Sequence, residues 1–136
     1  GEILRNELPR FLKGELKAMT QPSEGVVLAP MVKKEDGRLD FTKSAAELER
    51  RLRAFYPWPG ATTTFEGALL KVHAAQIGVG KGVPGTLLSA GKDGLDIACG
   101  EGSLLVTSLQ PEGKRVMSAA EFLASRKLVS GTQPFA

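Results

Sequence analysis

The chain has 136 residues, 42% of them hydrophobic and 24% charged, enough to bury one core and too short for a two-domain enzyme. One Cys and one His cannot make an internal disulfide, a Cys–His zinc site or a two-histidine site, so no metal is expected and Cys99 fits a reducing compartment. Eighteen Lys and Arg against fifteen Asp and Glu give +3, a weak pull toward polyanions; no apolar run reaches the ~18 residues of a membrane span, so a soluble chain is expected.

Charge is unevenly spread. Residues 1–60 carry 11 basic and 9 acidic side chains, residues 61–110 carry 3 and 4, and residues 111–136 carry 4 and 2. Sixteen glycines and eight prolines imply many tight turns and a largely β domain.

In chain order, Ile3, Leu4, Leu8, Phe11, Leu12, Leu16 and Met19 keep a helical spacing that Pro9 and Gly14 interrupt, which predicts two short helical pieces. The pattern starts without an N-cap or a signal-peptide layout, as a helix does when cut from a longer chain. From Thr20 to Asp40, Pro22, Gly25, Pro30 and Gly37 predict an extended linker. Ser44 with Glu47 forms a capping-box signature, and Ala45, Leu48, Leu52 and Phe55 mark one face of an amphipathic helix over 45–55. Pro57-Trp58-Pro59-Gly60 stops it, and Trp58 is expected to pin that corner into the core.

Beyond Ala61 the period becomes that of strands. Residues 62–65 and 69–74 flank a Glu66-Gly67 hairpin turn, a glycine-rich loop runs from Ile77 to Gly85, and strands follow at 86–89, 95–99 and 103–109, in meander spacing. Ser118 with Glu121 opens a short helix over 118–125, and Gly131 to Ala136 reads as a loose tail. The fold class is therefore mainly β with short helices. Five twisted strands with exposed edges suggest closure into a small open β-barrel of OB-like type.

Few residues suit chemistry. His73 has no second His or nucleophile nearby and reads as packing or surface; Cys99 reads as core filler beside Leu95 and Ile97. Gly78-Val79-Gly80-Lys81-Gly82 lacks the Ser or Thr and the helix of a Walker loop, leaving a mobile loop with Lys81 available to a phosphate. Asp36 and Asp40 near Glu35 sit in a linker without a pocket. What remains is Lys33-Lys34 and Lys114-Arg115, backed by Arg126-Lys127, and a polyanion would use these together. Glu112 is the one acid within five residues before Lys114-Arg115 and Glu121 lies six residues beyond Arg115, so no near neighbour is expected to be spent on both charges.

Arg53-Ala54-Phe55-Tyr56-Pro57-Trp58-Pro59-Gly60-Ala61 and Leu109-Gln110-Pro111-Glu112-Gly113-Lys114-Arg115-Val116-Met117-Ser118-Ala119 closely resemble the carboxy-terminal part of methionyl-tRNA formyltransferases. Pro84-Gly85-Thr86, residues 98–102 and the linker run Lys34 to Phe41 are similar too, so the resemblance covers nearly the whole chain. It implies that residues 1–20 are the tail of a catalytic Rossmann-type domain, 21–40 an interdomain linker and 41–136 a tRNA-binding β-barrel. It also implies a parent enzyme that formylates methionyl initiator tRNA in translation initiation with 10-formyltetrahydrofolate as co-substrate, while this piece holds no cofactor and no catalytic residue. Arg38, inside the linker motif, joins Lys33, Lys34, Lys81, Lys114, Arg115, Arg126 and Lys127 as expected tRNA contacts. Met31 stands where the family often has Lys, removing one expected phosphate contact, and Tyr56 replaces a common Asn. Two alternatives stay open: a non-catalytic RNA-associated protein that kept this barrel, and the hydrolase domain of formyltetrahydrofolate dehydrogenase. A monomer is expected, cytoplasmic in a bacterium and in the mitochondrial matrix or plastid stroma of a eukaryote.

Overall fold

A computed structural model describes residues 1–124, 126 and 128–135. The chain divides into two units, Gly1–Met31 and the remainder from Val32 on.

In the first unit one helix, α1 (Glu2–Leu12), runs straight through Pro9 instead of breaking into two pieces. Pro9 takes a donor from the carbonyl of Arg5, but no residue of α1 is buried, so water can satisfy that oxygen. The helix stops at Lys13, and Gly14 follows in the left-handed conformation (φ +74°), which costs glycine least.

The second unit opens inside the segment expected to be extended. Lys34–Gly37 forms a 3-10 turn, with the backbone N–H of Lys33 donating to Asp36 Oδ2 at 2.7 Å. Alternation then buries Leu39 and Phe41, and the Leu39 N–H donates to the Thr62 carbonyl at 2.8 Å. Helix α2 (Ala45–Ala54) is capped by Ser44, whose Oγ accepts from the Glu47 N–H at 3.2 Å; the Glu47 carboxylate turns to Arg51, 3.8 Å away. Ala45, Leu48 and Leu52 are its buried stripe.

The strands are β1 (Ala61–Phe65), β2 (Ala68–Gly78), β3 (Leu87–Gly91), β4 (Gly94–Ala98), β5 (Ser103–Pro111) and the short β6 (Met117–Ser118). Glu66 and Gly67 both take positive φ (50° and 83°), the geometry of a tight hairpin turn that matches strand twist. All pairings are antiparallel, but the order is β1-β2-β5-β4-β3, with β6 on β5, so the sheet is not a meander. Tight turns fix the neighbouring pairs, whereas the 79–86 connection is long enough for β5 to take the place beside β2. The class is confirmed as mainly β with short helices. The second capping box is complete: the Glu121 N–H donates to Ser118 Oγ at 3.1 Å and the Ser118 N–H to Glu121 Oε2 at 2.9 Å, opening α3 (Ala119–Leu123).

β1 and β3 are the sheet's edges and do not pair with each other, so the sheet itself is not closed. The segment after Gly131, expected to be loose, is laid between them. The Gly131 N–H donates to the Leu87 carbonyl (2.7 Å), the Leu87 N–H to Thr132 (2.9 Å) and the Glu66 N–H to Pro134 (2.9 Å). Gln133 Nε2 donates to the Pro84 carbonyl at 2.8 Å, and Phe65 and Phe135 form an antiparallel bridge. Exposed edges are thereby paired. Phe135 is 4% exposed, with ring centroids 5.3 Å from Phe65 and 6.2 Å from Phe41; Phe65 meets Phe122 edge-on at 5.3 Å. An aromatic cluster thus ties the tail, β1, α3 and the chain entering α2 into one core.

Candidate nucleic-acid interface

Six of the eight expected basic residues fall into two groups. Lys33, Lys34 and Arg38 stand exposed on and beside the 3-10 turn. Its backbone is locked to the corner after α2: Arg38 bridges Thr62 in parallel, and a Cβ at Gly37 would collide with the Gly60 carbonyl. Lys114 and Arg126 line one shallow groove with Phe65, Leu69, Pro111 and Phe122, and Arg115 follows Lys114. Lys81 is exposed on the loop after β2. Lys127 lies outside the described residues.

The turn carrying Lys114 is built from both sides. Gly113 takes φ +69°, the Lys114 N–H donates to Pro111 (3.0 Å) and the Glu112 N–H to Leu69 (3.1 Å). Gln110 Nε2 donates to the Lys114 carbonyl at 2.8 Å, while Gln110 Oε1 lies 3.1 Å from His73 Nε2. No spacing rule in the sequence ties Gln110 or His73 to this turn; the strand register does.

Lys114 and Arg115 are not equivalent, which corrects the expectation that both charges are unspent. Arg115 Nη2 lies 2.7 Å from Glu121 Oε1. Helix α3 brings Glu121 back across six residues, where sequence distance had hidden it. That hydrogen bond, with those from the Ser118 backbone and hydroxyl, pulls the Glu121 carboxyl down to about 2. Arg126 is also engaged: its guanidinium lies 4.3 Å over the Phe122 ring, and Nη1 donates to the Phe122 carbonyl at 3.3 Å. By contrast, Lys33, Lys34, Arg38, Lys81 and Lys114 make no ion pair with a carboxylate among the described residues.

The glycine-rich loop is no phosphate cradle. The Gly80 N–H is spent on Ser103 Oγ at 2.9 Å, which also anchors a loop expected to be mobile. The Asp96 carboxylate lies directly beneath, 3.1 Å from where a Gly80 Cβ would stand, and its charge repels an anion there. Cys99 is buried in the core; burial first, then Asp96, pushes its thiol up to about 11. Among the described residues no group of His, Cys, Asp and Glu could hold a metal, and no helix is long and apolar enough to cross a membrane.

The corner departs furthest from expectation. Trp58 is 61% exposed and Tyr56 74% exposed, so neither pins the corner into the core. Half-buried Phe55, the buried Leu52 and the Gly60 N–H bond to the Phe55 carbonyl (3.0 Å) hold it instead.

Among the described residues, the second unit thus carries five exposed cations, Lys33, Lys34, Arg38, Lys81 and Lys114, that make no ion pair with a carboxylate. The family model for the formyl transferase C-terminal domain matches residues 31–127, and the chain belongs to that family. It is similar to a methionyl-tRNA formyltransferase of Myxococcus xanthus (strain DK1622), 65% identical over 135 residues, covering 99% of this chain and 43% of the relative. A methionyl-tRNA formyltransferase of Citrifermentans bemidjiense is 43% identical over 130 residues, covering 96% and 41%. The chain thus spans about two fifths of the length of these relatives. Among solved structures, HypX from Aquifex aeolicus shares the fold, with a TM-score of 0.59 at 21% identity over 91% of this chain and 23% of that one.

Proposed function

We propose that this chain is the tRNA-holding, carboxy-terminal part of a methionyl-tRNA formyltransferase. In this reading residues 1–20 belong to the tail of a catalytic Rossmann-type domain and residues 21–40 to the linker. Residues 41–136 make an open barrel of OB-like type, with the 131–135 segment spanning its two edges. The parent transfers a formyl group from 10-formyltetrahydrofolate to methionyl initiator tRNA, in the cytoplasm as a bacterial enzyme. This part contributes no chemistry. Distributed phosphate contacts on Lys33, Lys34, Arg38, Lys81 and Lys114 fix the position of the tRNA without reading its sequence, so that the acceptor end meets a remote active site already oriented. Arg115, Arg126 and Lys127 add to the field more than to direct contact.

The observation that carries this reading is the set of cations left without carboxylate partners on a domain that is 65% identical to a protein of that name. Filter binding of purified chain to initiator and elongator tRNA tests it. Binding is expected to be weak and nearly equal for the two, with log affinity falling against log salt at a slope of about −3 to −5 for roughly four to six phosphate contacts. No formylation of charged initiator tRNA is expected from the chain alone. A flat salt titration, or appreciable turnover, overturns the reading.

A further inference from the structure

Tyr56 and Trp58 are the chain's sole tyrosine and sole tryptophan, and both stand in solvent on a corner held from several sides. The Gly60 N–H is bonded to the Phe55 carbonyl, Pro59 and Gly60 press on Gly37, and the strand leaving the corner bridges Arg38 and hydrogen-bonds Leu39. These contacts put the backbone of the turn that carries Lys33, Lys34 and Arg38 against Pro59 and Gly60, the residues that follow Trp58 in the chain.

An exposed aromatic pair serves either a protein partner or a base. Aromatic residues and Arg are enriched in protein–protein interface cores, but lysine is depleted there. Here the packed neighbours are Pro59, two glycines and a turn that carries Lys33, Lys34 and Arg38, none in an ion pair among the described residues, together with the exposed Glu35 and Asp36, whose Oδ2 is taken by the Lys33 N–H. A flat aromatic face beside a track of positive charge is the arrangement that binds unpaired nucleotides: the ring stacks on a base of any identity and the cations take the flanking phosphates. A duplex offers no free base face and would meet only the cations.

We infer that the Tyr56–Gly60 corner is a stacking site for an unpaired nucleotide of the bound RNA, with Trp58 as the platform and Lys33, Lys34 and Arg38 on the adjoining phosphates. This rests on the reading of the chain as a tRNA binder and adds a site where that reading has only charge.

Because Trp58 is the one indole, its fluorescence reports the site directly. The chain is titrated with a short oligoadenylate, with a fully paired RNA duplex of equal length and with tRNA, while filter binding follows tRNA in parallel. Oligoadenylate and tRNA are expected to quench the emission and the duplex to leave it largely unmoved. Trp58→Ala is expected to weaken oligoadenylate binding about tenfold, the scale of one lost base–aromatic stack, with duplex affinity unchanged and the melting temperature held. Trp58→Phe is expected to recover most of the loss. If tRNA binds in a salt-dependent way but neither moves the fluorescence nor responds to Trp58→Ala, the stacking site is overturned, the tRNA reading stands, and the aromatic pair is left to a protein partner. If no RNA binds at all, both are overturned.

Discussion

The segment after Gly131 and the turn from Pro111 to Val116 invert what their sequences suggest. The tail looks dispensable, ending in glycine, polar residues and proline, yet it seals both sheet edges and places Phe135 in the core. The turn is expected to carry two free charges, yet its side chains contribute little to the core and one of its two charges is already taken. Under the proposed reading, stability and binding are separated along the chain: the tail pairs the sheet edges, Lys114 is left without a carboxylate partner among the described residues, and Arg115 is held by Glu121.

Removing the buried ring tests the structural half of this contrast and carries the largest effect. Phe135→Ala is expected to cost about 3–5 kcal/mol, as large aromatic truncations in cores do, and to lower the melting temperature by roughly 12 °C or more. Urea denaturation followed by circular dichroism measures it. A change small enough to be lost in the error would mean that the tail is only laid on the surface. Gly85→Ala attacks the same seam from the other side. Gly85 holds φ +84°, and a Cβ there would stand 2.8 Å from the Phe135 carbonyl. A loss of about 1–2 kcal/mol from the backbone conformation alone is expected, and the same denaturation curves read it.

The tail was illegible in the sequence for a definite reason. A strand-like segment that pairs through Gly131, Thr132 and Pro134 has no alternating pattern, because only Phe135 reaches the core and a period needs at least two such residues. The α2 start at its Ser44 cap, the Ser118–Glu121 capping box and the Glu66-Gly67 hairpin are local and readable from residues a few positions apart. The strand order was not, since nothing in the 79–86 loop says which strand lies beside β2. Trp58, a large aromatic at a corner, is expected in the core by default, but here it stands in solvent while Leu52 is the residue of that stretch that enters the core. The cation clusters were readable as charge; which of them are spent depends on Glu121 returning over α3.

On the binding half, Lys114→Ala is expected to leave the melting temperature unmoved and to flatten the tRNA salt slope by about one unit, the signature of one phosphate contact removed. In the full-length enzyme it should appear as a raised KM for tRNA with folate kinetics unchanged, since uniform binding is lost and not transition-state stabilisation. Steady-state formylation at two salt concentrations measures both. If Lys114→Ala lowers the melting temperature as Phe135→Ala does, the division of labour between turn and tail fails.

The smallest effects belong to the pair that joins the two tasks. Glu121, held at about 2 by Arg115 and the Ser118 donors against an ordinary value of 4.5, has a folded-state value below its unfolded one. The stability it contributes is therefore complete above about pH 4.5 and disappears as the pH falls from there toward 2. Glu121→Gln should show a slightly lower urea midpoint than the unmodified chain at neutral pH, with the gap closing in that acid window. The same substitution frees the Arg115 guanidinium, 72% exposed in its side chain, to meet a phosphate. The tRNA salt slope should then steepen by up to about one unit while the fold weakens. A carboxylate that caps a helix and restrains a cation predicts opposite signs for stability and binding. If both fall together, Arg115 reaches the RNA only by way of the intact pair.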